Sequence, residues 1–169
     1  MKISCVIARA VSTEDADKLR EIGPLYGSWT TWKENRTDNV VCTDLTKAYE
    51  LLQKAFHAVC NFHIPEKFIE QSGTLPRVQS FDYLPEVVNS DDLAAVHIAS
   101  VQDSAVVLLL GFDFLHKDAE LIRLIKQFST IQYVGVTTPT DKVSRAYASI
   151  DNITFDTLEN VLIFADANT

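Results

Sequence analysis

Two rhythms of apolar and polar residues run along the chain. Short, wholly apolar runs recur, and between them apolar residues return at every third or fourth position. Lys2–Ala8 is the first apolar run and reads as a buried strand. Ser12 and Asp15 form a capping-box pattern that opens a helix to about Ile22, where Gly23-Pro24 stops it. Leu25 to Asp38 shows neither rhythm and reads as a long loop holding both tryptophans, Trp29 and Trp32. Asn39–Thr43 reads as a second strand. Ala48, Leu51, Leu52, Ala55, Phe56 and Val59 then fall on one continuous helix face. Pro65 suits the first position of a short helix, Glu66–Gln71.

Residues 72–89 carry Gly73, Pro76 and Pro85 and read as an irregular segment with one short strand around Val78–Tyr83. Ser90-Asp91-Asp92 looks like a helix start leading to Val101, although Val96 and Ile98 would also suit a strand. Ser104–Gly111 is the strongest strand, apolar throughout, as a strand covered on both faces should be. Asp118–Phe128 reads as a helix and Ile131–Val136 as a strand. Thr140 would cap a short helix to Tyr147. Asp156 to Glu159 reads as a second capping box opening a last helix through Ala165. Alternating strands and helices, with apolar rather than period-two strands, predict an α/β fold. The expectation is one three-layer, Rossmann-like domain over residues 1–169, a mostly parallel sheet of about five strands with helices on both faces.

Composition narrows the function classes. The chain has 169 residues, 47% of them hydrophobic, with a formal charge of −8. Residues 1–80 hold 10 basic and 10 acidic side chains, whereas residues 81–169 hold 5 and 13. No basic stripe offsets that excess, so a duplex nucleic-acid partner is not expected. No apolar run reaches the roughly 18 residues of a membrane span, and the start lacks a signal-peptide pattern. Cys5, Cys42 and Cys60 have no metal spacing and read as buried, reduced thiols of a cytoplasmic protein. No metal site and no cofactor is indicated.

Ligands of such sheets bind beyond the carboxyl ends of the strands, which directs attention to four loops. The first, Arg9 to Thr13, has no glycine for close approach to a pyrophosphate, so NAD-type and ATP-hydrolysing roles are disfavoured. Arg9 and Ser12 would still hold a phosphate at the helix start, or Ser12 would only cap it. Asp44 would meet a ribose hydroxyl or cap the next helix. Trp29 and Trp32 would stack on a ring or anchor their loop. Gly111 would allow close approach of a ligand. Asp113 and His116 would form an acid/base pair, or Asp113 would bond its own turn. Thr138, in a hydroxyl-rich loop after the last apolar strand, would bind phosphate or cap. His57 falls on the polar helix face and reads as solvated.

Val106 to Phe114, with the following helix and Ile131–Val136, resembles part of the Rossmann-like bacterial sialyltransferases. That resemblance implies a nucleotide-sugar donor and a histidine base. Arg9-Ala10-Val11-Ser12 stands where that family carries an Asn-Gly-Pro-Ser type loop. Tyr26 to Trp29 and Asp38 to Cys42 are similar to small proteins of tailed phages, which implies a host-cytoplasm setting. The functional expectation is a nucleotide or nucleotide-sugar ligand, bound for transfer or for sequestration. The alternative is a non-enzymatic accessory or assembly protein acting through protein–protein contacts, with a homo-oligomer left open.

Overall fold

A computed structural model describes residues 1–66, 77–81 and 90–168. The strands are β1 (Ile3–Ile7), β2 (Leu25–Ser28), β3 (Asn39–Val41), β4 (Asn61–Pro65), β5 (Val78–Phe81), β6 (Val106–Leu110), β7 (Gln132–Val136) and β8 (Ile153–Asp156). The helices are α1 (Thr13–Ile22), α2 (Trp29–Asn35), α3 (Leu45–Gln53), α4 (Asp91–Val101), α5 (Ala119–Gln127) and α6 (Leu158–Asn168). The strands form one sheet of eight in the order β5-β4-β3-β2-β1-β6-β7-β8. Every pairing is parallel, including the central one in which Ile3 to Ile7 lie beside Val106 to Leu110.

Helices cover both faces, as the apolar strands require. On one face α4 and α5 pack on Val6, Tyr26, Val41, Val107, Leu109 and Tyr133. α4 is buried along most of its length, which explains why its sequence suited either strand or helix. On the other face α1 and α6 cover Ile3, Cys5, Ile7, Leu108 and Leu110. There α3 covers Val40, Cys42, Phe62 and Ile64. Beneath α4 the polar side chains find partners. Ser104 Oγ donates to the Ala99 carbonyl at 2.8 Å and lies 2.7 Å from Ser4 Oγ. Ser100 Oγ donates to the Val96 carbonyl at 2.7 Å, which leaves Tyr133 to donate to Ser100 at 2.6 Å. His63 is buried against Asn39 Oδ1 at 2.9 Å, and burial pushes its pKa down to about 4.

The sheet has eight strands rather than about five. Leu25 to Asp38 is not a loop: Leu25 and Tyr26 are buried in β2, and Ser28 caps α2. The long helix expected through Val59 stops at Gln53, because Ala55 turns left-handed (φ 56°). A 3-10 turn, Phe56–Ala58, keeps Phe56 in the core and leaves Val59 59% exposed. Pro65 is the last residue of β4. Residues 67–71 of that expected helix, residues 82–83 of the expected strand and most of the irregular segment lie outside the described residues. Thr140 caps nothing longer than a turn, and the 3-10 turn at Arg145–Tyr147 is capped by Ser144. β8 occupies part of the stretch expected to lie between two helices. His57 is half-buried rather than solvated, and its Nδ1 finds no partner among the described residues.

All three cysteines are free and buried, and burial raises each thiol to a pKa of about 12. No described helix is long and apolar enough to cross a membrane. The described residues contain no cluster of His, Cys, Asp and Glu suited to a metal ion.

Candidate functional site

From β1 the chain leaves through α1 toward β2, on one side of the sheet. From β6 it leaves through α5 toward β7, on the other. The two connections diverge and open a crevice at the carboxyl ends of β1 and β6, the switch point where such sheets bind ligands. Ala8 N–H donates to the Leu110 carbonyl at 2.8 Å and extends the central pairing to its mouth. Gly111 follows with φ +76°, and a Cβ there would sit 2.6 Å from the Arg9 nitrogen. Both facts demand glycine, and both bring the Arg9 main chain against the β6 loop. Asn35 fixes the same loop from α2. Its Oδ1 accepts from Val11 N–H at 2.9 Å and its Nδ2 donates to the Val11 carbonyl at 3.0 Å.

Arg9, half-buried Phe112 and Asp113 form a wall shared by two adjoining concavities, of about 270 and 320 Å³. The first continues to Thr137, Asp141 and Lys142 after β7. The second continues to Ser90, Asp92 and Asp118. Ser90 and Asp118 cap α4 and α5, so two helix starts point at this crevice. Under Phe112 the rings of Phe114, Tyr147 and Phe155 meet edge to face, with centroids 4.9 to 5.8 Å apart. Of these rings Phe114 lines the first concavity, and the other two pack behind it.

Asp113 is exposed. Its Oδ1 accepts from Leu115 N–H and its Oδ2 pairs with His116 Nδ1, each at 2.9 Å. The His116 bond first, and the Leu115 amide second, hold its carboxyl below the usual range. His116 stands outside the lining of both concavities, with 76% of its side chain in solvent. The pair therefore has the geometry of an oriented imidazole, but at the rim.

Asp92 is the group that sequence reasoning missed. It sits half-buried in the first turn of α4 and lines the second concavity together with Arg9. Burial, and then the neighbouring Asp91, raise its pKa from 3.8 to about 6. A carboxyl of that kind in a cleft is suited to exchanging a proton near neutral pH. Asp91 is spent on structure: its Oδ1 accepts from the Thr43 amide at 2.8 Å and hydroxyl at 2.6 Å. The doublet reads as helix-start acids in the sequence, and only the packing of α4 separates their roles.

Arg9, Gly111 and Asp113 thus converge, and the other expected residues do not join them. Ser12 caps α1 through the Asp15 amide at 3.1 Å. Asp44 caps α3 through the Lys47 amide at 2.7 Å. Trp29 packs on the α3 side of the sheet, with Lys33 and Lys47 over its ring at 4.1 and 3.8 Å. Thr138 stands exposed beside the crevice, its amide bonded to Asp141 Oδ2 at 2.8 Å. The most apolar concavity, about 290 Å³, lies elsewhere, between α6 and the face of β6 to β8. Asp156 is the sole charged residue in its lining among the described residues, so it carries no comparable chemistry.

Comparison of the chain with protein-family models, with curated proteins and with solved structures finds no match in any of the three.

Proposed function

We propose that this chain binds a small, hydroxyl-bearing ligand of the nucleotide or nucleotide-sugar class in the switch-point crevice. The observation that carries the reading is the convergence of Arg9, Asp92, Phe112 and Asp113 on one concavity between β1 and β6. Phe112 offers a ring face, the carboxylates of Asp113 and Asp92 accept from sugar hydroxyls, and Arg9 and Lys142 answer an anionic group. The balance of charge narrows the class. Asp92, Asp113, Asp118 and Asp141 outnumber the two cations, so a ligand with few phosphates fits better than a triphosphate. Asp92 is the residue placed to take or give a proton if the bound ligand reacts.

A thermal-shift panel of nucleosides, nucleoside monophosphates and nucleotide-sugars tests this. A ligand at about 100 times its Kd adds roughly 2.7 kcal/mol of stability. The expected result is a hit lost in both Asp113→Ala and Arg9→Gln, with triphosphates weaker than monophosphates. A flat panel on folded protein overturns the reading.

A second reading, contact with a protein partner, rests on Ile163 and Phe164, which α6 leaves 62% and 51% exposed beside the apolar cavity. A variant carrying Ile163→Ser that loses a co-purifying partner, while keeping its melting temperature, would favour it.

A further inference from the structure

The opposite edge of the sheet, where β3, β4 and β5 begin, holds a cleft of about 570 Å³ that the crevice does not include. Its walls are Trp32, Arg36, Thr37, Asp38, Val59 and Arg77. In a chain with a formal charge of −8, two arginines line this cleft with one carboxylate among the described residues. That carboxylate is already engaged, since Asp38 Oδ2 accepts from Leu25 N–H at 2.8 Å.

Both arginines are held in place by groups that leave donors unspent. The Arg36 guanidinium lies over the Trp32 ring at 3.8 Å, a stacking contact that uses the π face and no N–H. Trp32 in turn is braced edge-on by Phe56 at 4.8 Å. Arg77 reaches back with Nη1 to the Ala58 carbonyl at 3.2 Å and with Nε toward Asn61 Oδ1 at 3.5 Å, so its Nη2 is unspent among the described residues. Arg77 does this from a left-handed backbone, φ 66°, which a side chain rarely adopts. Thr37 adds an independent sign. It is 2% exposed, lines the cleft, and its Oγ1 has no hydrogen-bond partner among the described residues. A buried hydroxyl without a partner costs stability and asks for an acceptor.

We propose that this cleft binds the phosphate group of a small organic phosphate, held between Arg36 and Arg77. The arrangement of forked donors suits a tetrahedral oxyanion. A phosphate oxygen supplies the acceptor that Thr37 lacks. The volume is that of a small-molecule site rather than of a bare ion. Val59 and the free margin of Trp32 give the ligand's apolar part a surface to rest on. The site is independent of the switch-point crevice.

Trp32 reports on its own site. In a Trp29→Phe background it is the one remaining tryptophan. Its fluorescence is followed while inorganic phosphate, phenyl phosphate, phenol or chloride is added. The expected result is a saturable change with both phosphates, phenyl phosphate binding about tenfold more tightly, and no saturable change with phenol or chloride. Arg77→Gln and Arg36→Lys should each weaken binding by about tenfold or more, the second because a lysine keeps the charge but not the fork. Thr37→Val should weaken binding while leaving the unliganded protein at least as stable. Melting curves of each variant establish that it is folded. A chain that gives no saturable phosphate response at about 10 mM overturns the proposal. So does a response that phenol reproduces, or one that Arg36→Lys and Arg77→Gln leave intact.

Discussion

Asp92→Asn is expected to stabilise the folded chain by an amount that grows between pH 4 and pH 6 and then levels off. The Asp92 carboxyl titrates at about 6 in the folded protein and near 3.8 when solvated. Between those values the folded state holds a proton that the unfolded state has released, so stability falls as pH rises. The full displacement corresponds to about 3 kcal/mol, at about 1.36 kcal/mol for each pH unit. The side chain is only half-buried, and solvent screening brings the expected loss to about 1.5 kcal/mol. Asparagine carries no charge and escapes that loss. In a chain of this size the melting temperature of the variant should therefore gain about 3–6 °C over the parent at pH 7, beyond any difference at pH 4. The parent's own pH profile cannot isolate the effect, because buried His63 pulls the opposite way over an overlapping range. The assay is thus the difference between paired thermal or urea melts of variant and parent, taken from pH 4 to 7.5. A difference that stays constant with pH would show that Asp92 is solvated and would remove the half-buried carboxyl on which the proton-transfer role rests.

His63→Gln should remove a loss of up to about 3 kcal/mol that charging the buried imidazole costs the parent between pH 6.5 and 4; the difference between paired melts of variant and parent at the two ends of that range measures it. Gly111→Ala should cost about 2–3 kcal/mol in urea unfolding, since the new Cβ meets both a left-handed φ and the Arg9 nitrogen. Asn152→Ala should cost a similar ~2–3 kcal/mol, because Asn152 Nδ2 lies within 3.1 Å of the carbonyls of Ile125, Phe128 and Ile131 and ties the end of α5 to β7. The three thiols should resist an aromatic disulfide reagent in the native protein at pH 8 and all react in denaturant, read by absorbance.

The parallel α/β class was legible because its strands are apolar on both faces and alternate with amphipathic helices. What escaped was short or contextual. β2 is four residues, Leu-Tyr-Gly-Ser, with no β-branched side chain, and its place between β1 and β3 makes it a strand. β4 follows so closely on a helical pattern that its Phe62 and Ile64 carried no rhythm of their own. β8 does alternate, Ile153 and Phe155 against Thr154 and Asp156, and four residues were too few to weigh against a helix cap. Of the site, the loops after β1 and β6 were legible from the fold rule, hence Arg9, Gly111 and Asp113. Asp92 was not, because its pKa depends on how α4 is packed into the fold, which the local sequence does not record. Trp29 and Ser12 show the opposite lesson: residue types suited to ligand contact were taken up by packing and capping.

The placement of β1 between β2 and β6 has a consequence during synthesis. β2 follows β1 within 18 residues, but the partner for its other edge, beginning at Val106, is about 100 residues downstream. At roughly 5–20 residues per second, a ribosome needs about 5–20 s to deliver it. Until then Ile3 to Ile7 presents a bare apolar edge, and for most of that time α4, the helix that roofs it, is also unmade. A nascent chain stalled before residue 104 is thus half a sheet with its most hydrophobic border open to other chains. The last third of the protein, besides completing the crevice, is what closes that border.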